Sequence, residues 1–278
     1  MPRSVSEPIE GLLILDKPSG PTSREVVTQV KRILGAKLAG HVGTLDPGAT
    51  GVLPILLGRA TLAARALDRL DKEYVAVIHL HQDVPDAELQ EALKKFVGVI
   101  KQRPPVHSAV ARIVRERHIY SIDIIAREGK DVKLRIACEA GTYIRKLASD
   151  IGEGIGGAHL RELRRTRSGP FDEKQAHTMD ELQNAVAAAQ TERVILPVAA
   201  AVAHIPGIVV KDSTIPAVMH GSPISGYGIV KVNGTLEKGA LVSVLSMDGE
   251  LLAFGYAVAE DITKGNVVVV QIDRVVKA

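Results

Sequence analysis

Apolar and polar positions along the chain fall into short blocks separated by glycine and proline. Residues 11–15 form a continuous apolar run that stops at Asp16-Lys17-Pro18-Ser19-Gly20-Pro21, which predicts a strand and then a turn. A helix is expected next, since Thr22-Ser23-Arg24-Glu25 has capping-box spacing, Val26, Val30, Ile33 and Leu34 share a face, and Gly35 can end it. Residues 73–81 are β-branched and extended in pattern, and residues 85–97 read as a helix with Leu89, Leu93 and Phe96 inward. Val132, Leu134, Ile136 and Cys138 alternate with polar residues, the pattern of a strand with one buried face. Near Thr142 a helix opens on which Ile144, Leu147, Ala148 and Ile151 share a face and Arg145 does not. These elements mix without a regular βαβ period, so the expected class is α+β with a mixed sheet.

The pattern changes beyond an alanine-rich helix at residues 178–190. Residues 197–207 read as a linker. Short β-branched runs follow at 229–232, 241–245, 251–258 and 267–272, with Asn233-Gly234 and Asp248-Gly249 as hairpin signals between them. A small β-barrel-like domain of residues 205–278 is expected behind a larger domain of residues 1–200.

Composition narrows the function. With 278 residues, 46% of them apolar, the chain can bury a large core. Its longest weakly polar run, residues 195–210, is interrupted by Pro197, His204 and Pro206, so a non-membrane, cytoplasmic protein is expected. The single cysteine, Cys138, excludes an internal disulfide and a cysteine-rich metal site. Net charge is only +3, but it is unevenly placed. Residues 205–278 hold six Lys/Arg against seven Asp/Glu, which leaves 29 against 25 in the first 204, clustered at 31–37, 101–117 and 161–167. Three basic clusters in one domain suit a polyanion.

Two motifs fail on context. The run from Gly152 to Gly157 satisfies G-x-G-x-x-G but follows a helix, where a dinucleotide loop must follow a strand. Gly35 and Gly40 have phosphate-loop spacing, but His41 and Val42 stand where Lys and Ser/Thr are needed. His79, His81 and Asp83 lie along one strand and its edge, and no metal is expected there. The stretch GHVGTLDPGATGVLP is different, because it surrounds one carboxylate, Asp46, with glycines at 40, 43, 48 and 51 and an apolar tail. Those glycines suit a loop that a ligand can approach closely, and an Asp-Pro turn capping its own backbone is the other reading.

GLLILDKPSGPTS, GHVGTLDPGATGVLP, the KEY at residues 72–74, GTYIRKLASDIG and HLRELRRTRSGPF occur in this order over residues 11–171. Together they resemble the tRNA-uridine-55 and dyskerin-type pseudouridine synthase family, and the region of AVMHGSPI and the runs after it look like a PUA domain. The resemblance implies cofactor-free isomerisation of uridine to pseudouridine in RNA. By its motifs Asp46 matches the catalytic aspartate, Arg145 its guanidinium partner, and Tyr74 the active-site tyrosine that can stack on a flipped base. The carboxylate could attack the sugar C1′ or the uracil C6, or assist deprotonation. An Asp46 shielded from water and held ionised by Arg145 suits each route. Lys17, His41, Arg161, Arg164, Arg165 and Gly221 are the implied RNA-binding residues, with a structural salt bridge as the other role for Lys17 and a structural hydrogen bond for His41.

The stretch RPPVHSAVARIVRERHIYSIDI resembles the dyskerin-type branch, and only 70 residues separate Tyr74 from Arg145, with no room for the stem-loop-gripping insertion of the tRNA-specific branch. The resemblance therefore implies the catalytic subunit of an archaeal-type particle, with a box H/ACA guide RNA and small accessory proteins as partners and rRNA or tRNA as substrate. A guide-independent tRNA uridine-55 synthase and a non-catalytic RNA-binding scaffold are the alternatives.

Overall fold

The computed structural model describes residues 9–104, 111–260 and 265–276. Residues 105–110 of the RPPVHSAVARIVRERHIYSIDI stretch lie outside them. Ten strands form the first sheet: β1 (Gly11–Lys17), β2 (Ala39–His41), β3 (Thr50–Leu57), β4 (Lys72–Leu80), β5 (Gly98–Gln102), β6 (Arg115–Glu128), β7 (Asp131–Cys138), β8 (Ala158–Ser168), β9 (Phe171–Asp172) and β10 (Ile195–Leu196). Their order is β10-β1-β3-β8-β4-β7-β6-β5, with β2 beside β3 and β9 beside β8. All pairings in it are antiparallel except β3 with β8, which meet only at Thr50–Arg164 and Gly51–Arg165. This brief parallel contact joins the two halves of the sheet, and the Asp46 loop sits directly before it.

Helices α1 (Ser23–Leu34), α2 (Ala64–Asp68), α3 (Asp86–Lys94), α4 (Ile144–Glu153) and α5 (Met179–Ala187) belong to the same unit. Thr22 and Glu25 form the reciprocal capping box on α1, Val26, Val27, Val30 and Leu34 are buried, and Gly35 ends it at φ 63°. On α4 the residues Ile144, Leu147, Ala148 and Ile151 face the core against β8 and β4, leaving Arg145 outward. The glycines after α4 serve packing. A Cβ on Gly152 would lie 2.1 Å from the amide nitrogen of Ala158, so the close return of the chain into β8 requires glycine there.

The second sheet holds β11 (Gly207–Val210), β12 (Ile224–Ser225), β13 (Ile229–Asn233), β14 (Leu241–Leu245), β15 (Leu251–Ala257) and β16 (Val268–Val275), with α6 (Ile215–Met219) against it. Its order is β12-β16-β15-β14-β11-β13. Asp248-Gly249 does turn β14 into β15. Asn233-Gly234 makes no hairpin, because β13 pairs with β11 and β14 lies parallel on the other edge of β11. The expected linker is also packed. Residues 198–202 coil against β1 with Ala201 and Val202 buried, and His204 binds the carbonyl of Ala66. One apolar cluster joins Leu12, Ile14, Val52 and Phe171 of the first sheet to Leu251, Phe254 and Val276 of the second. The two units therefore share a core.

Candidate functional site

The loop between β2 and β3 is held from three sides. Ser23, the first residue of α1, donates its hydroxyl to the Leu45 carbonyl and accepts the Leu45 amide, both at 2.9 Å. Val42, Leu45 and Ala49 are buried. Lys17 is wholly buried, and its ammonium donates to the carbonyls of Pro18, Pro47 and Ala49 at 2.9–3.0 Å. Burial lowers its proton affinity while the nearby Asp46 charge raises it. Lys17 is thus placed as a brace for the loop, buried from the surface of the chain, and among the described residues it forms no direct salt bridge. Of the four loop glycines only Gly43 (φ 71°) and Gly51 (φ 99°) use the left-handed region. A side chain on Gly51 would strike the carbonyl of Arg165 at 2.2 Å.

The third support is Arg165 itself. Its guanidinium is fully buried, and it donates from Nε to the Val52 carbonyl at 2.7 Å and from Nη2 to the Gly43 carbonyl at 2.8 Å. A role in touching RNA phosphate is therefore ruled out. The residue lies on the inward register of β8, opposite Tyr74 on β4. Its neighbour Arg164 faces the other way, where Asp16 holds it through two bonds of 2.9 Å and Glu173 through a third. Three carboxylate contacts neutralise Arg164, which removes it from the free cations. Arg161 pairs with Asp131, remains half exposed and borders the cleft.

Within this frame Asp46 and Arg145 come together across 99 residues as an ion pair between Oδ2 and Nη2. Gln102, itself buried, accepts the Tyr143 amide and donates to its carbonyl, which anchors the start of α4 and so places Arg145. The pair is not shielded from water in the chain alone, with side-chain exposures of 49% for Asp46 and 61% for Arg145. It opens into a cavity of about 170 Å³ lined also by Pro47, Ala49, Leu160 and Leu163, on the scale of a single base rather than a duplex. Tyr74 lies behind, 8% exposed, which leaves little ring face for stacking. Burial pushes its hydroxyl up, against the lowering effect of Arg165. His41, at the loop entrance, is kept neutral by burial and by the charges of Arg165 and Arg24, and its Nδ1 is buried without a hydrogen-bond partner among the described residues. Gly221 is remote from this cleft, in a left-handed turn after α6 with open space around it. His79 of β4 and His81 just beyond its end pair with other groups, His79 with Asp131 at 2.6 Å and His81 with His159 at 3.0 Å. Among the described residues no group of three His, Cys, Asp or Glu could hold a metal.

The sequence reading missed Ser23 and Gln102 and misplaced Arg165. Strand alternation counted from Leu163 would have put Arg165 inward; nothing local marks the other two, whose partners lie 22 and 41 residues away.

Residues 31–144 match the N-terminal domain model of TruB family pseudouridylate synthases, residues 145–203 the C-terminal domain model of tRNA pseudouridylate synthase B, and residues 206–261 the PUA domain model. A probable tRNA pseudouridine synthase B of Methanopyrus kandleri is 47% identical over 90% of this chain and 77% of its own. The chain belongs to the TruB family. It is a pseudouridine synthase, isomerising uridine in RNA. The Pyrococcus abyssi protein of the same description is 45% identical over 95% of this chain and 83% of its own. Among solved structures, a chain of a Cbf5-Nop10-Gar1 complex superposes with a TM-score of 0.88 and 42% identity over 96% of this chain and 85% of its own. One from an H/ACA RNP bound to a substrate RNA containing 2′-deoxyuridine gives 0.87 and 40% over 96% and 85%. No helix among the described residues is long and apolar enough to cross a membrane.

Proposed function

We propose that this TruB-family chain acts in the cytoplasm as the catalytic subunit of a box H/ACA particle on rRNA and tRNA. In this reading residues 1–200 carry the chemistry and residues 205–278 hold the guide RNA. The supporting observation is the Asp46–Arg145 pair, presented at a base-sized cavity by a chain that superposes on subunits of H/ACA assemblies over nearly its full length. Asp46 is the group that attacks C1′ or C6 or assists deprotonation, Arg145 pairs with it and orients it, and Tyr74 meets the base. Arg161 and His41 contact the RNA strand beside the cleft, and Gly221 lets RNA approach the backbone of the second unit. The interval from Tyr74 to Arg145 is filled by β4 to β7 and α3, with no added stem-loop-gripping element among the described residues. Substrate placement then falls to a guide and accessory proteins.

The guide-independent reading is kept because the curated relatives are described as tRNA pseudouridine synthase B. Purified chain is to be assayed on naked tRNA and on targets supplied with the RNA that co-purifies with it. Guide-dependent turnover, abolished by Asp46→Asn with RNA binding intact, is the expected result. Rapid modification of naked tRNA would transfer the assignment to the tRNA-specific branch, and an active Asp46→Asn would remove Asp46 from the chemistry.

A further inference from the structure

A buried guanidinium without a carboxylate partner is costly unless its donors are all used for something. Among the described residues Arg165 has no direct carboxylate partner. Two of its donors go to the carbonyls of Gly43 and Val52, which flank the Asp46 loop on either side. Its own backbone meets Gly51 at the single point where β3 and β8 run parallel. The third nitrogen, Nη1, is buried without an acceptor among the described residues, and a Cβ on Gly43 would lie 3.1 Å from it. Tyr74 lies directly opposite Arg165 in the β4–β8 register and is itself buried, with its hydroxyl under the influence of the guanidinium charge.

We infer that Arg165 is a positioning residue for the isomerisation, clamping both ends of the Asp46 loop and orienting the Tyr74 phenol. An arginine that donates to the phenolic oxygen leaves the phenol's own proton for the cleft side. Tyr74 then faces the detached base as a hydrogen-bond donor whose direction is set beforehand. The clamp acts on Asp46 in the same way, since a loop held at both ends by one rigid planar fork cannot shift one end without the other. The inference rests on the catalytic reading of Asp46.

The test is Arg165→Lys, which keeps the buried charge but cannot bridge two carbonyls, measured in single turnover on whichever RNA the wild-type chain modifies. RNA affinity should stay within about twofold while the rate falls on the order of 100-fold, the loss associated with misplacing a reacting group by about 1 Å. In a Tyr74→Phe background the same substitution should cost clearly less, because the two residues act through one contact. Leu89→Ala, in the core of α3 and outside the cleft, reports the effect of lowered stability alone and should keep its rate within about threefold. A rate for Arg165→Lys within about threefold of wild type, equal losses in Leu89→Ala, or full additivity with Tyr74→Phe would overturn the inference. Should Arg165→Lys not fold, Gly43→Ala disturbs the same contact from the loop side and must slow the reaction at least about tenfold with RNA binding intact; a normal rate overturns the inference. Asp46→Asn is run alongside. If it is inert while Arg165→Lys is fully active, only the clamp fails, whereas an active Asp46→Asn defeats the catalytic reading itself.

Discussion

The floor of the cleft and the core of the second sheet bury opposite kinds of side chain. Under or beside the Asp46 loop lie the buried side chains of Lys17, Lys72, Arg165 and Ser23, and Gln102, Thr142 and Ser168 are buried elsewhere in the same unit; in the second unit the buried polar side chains among the described residues are Ser243 and Ser246. The three cations are bonded to main-chain carbonyls of Pro47, Ala49, Gly43, Val52, Asp68 and Leu70. Hydrophobic burial is non-directional and suits a sheet that must only present a surface, as the second unit does with Tyr227, Val230 and Met247 outward. A loop that must hold one carboxylate in one place needs directional contacts, and cations reaching several carbonyls at once supply them. The molecule accepts the desolvation of three charges where geometry matters and nowhere in the described part of the second unit.

The strongest test of that contrast is the point where the two regions meet. Phe254 of β15 is completely buried in the cluster that includes Leu12, Ile14 and Val52. Phe254→Ala should cost about 3–5 kcal/mol, the usual range for a buried phenylalanine. Because the cluster is shared, calorimetry should show one transition moved down as a whole. Two separated transitions, with the first unit unchanged, would mean that the units are stabilised independently. The same packing makes deletion of residues 205–278 a destabilising change rather than a clean removal of RNA contacts.

Next in size is the exposed pair. Arg145→Met should reduce single-turnover rate about 100-fold, or about 2.7 kcal/mol of transition-state stabilisation. Arg164→Met removes a cation already tied to Asp16 and Glu173, so its cost should appear in stability and leave the rate within about threefold of wild type. Equal rate losses in both would reduce Arg145 to one basic residue among several.

Much of the fold could be read from the chain because its signals are local. The capping box at Thr22 and Glu25, the period-two run from Val132 to Cys138 and the helical face of α4 each depend on residues within a few positions. Asp46 stood out for the same reason, as the one acidic residue in a glycine-rich stretch. What was not legible depends on distance along the chain. Arg165 sits among four arginines in seven residues, and only the strand register that places it opposite Tyr74 turns it inward. Asn233-Gly234 carries a hairpin signal, yet β13 gains more by pairing with β11, and β14 takes the other edge of that strand. The apolar residues of the 197–207 segment look like a linker until the groove between the two units is present to receive Ala201 and Val202.

The smallest effect probes the buried cations by pH. Lys72 is pushed down from 10.5 to about 8 by burial, with the Arg165 charge adding to the shift. Between those values the unfolded chain binds a proton that the native state has released, so this residue makes stability rise with pH, by up to about 1.4 kcal/mol per pH unit. Cys138 acts in the other sense. Burial pushes its thiol up from 9.0 to about 12, so above pH 9 the unfolded chain loses a proton that the native state keeps, and stability falls. The expected curve rises from about pH 8 to 9, flattens while the two contributions oppose each other, and declines beyond 10.5. Urea unfolding at half-unit steps would trace it. Lys72→Met should remove the rise and leave the decline, while Cys138→Ala, although less stable throughout, should keep the rise and lose most of the decline. If Lys72→Met retains the rise, the charge beneath the loop is not lost in this range, and the cleft floor is more open to water than its carbonyl contacts require.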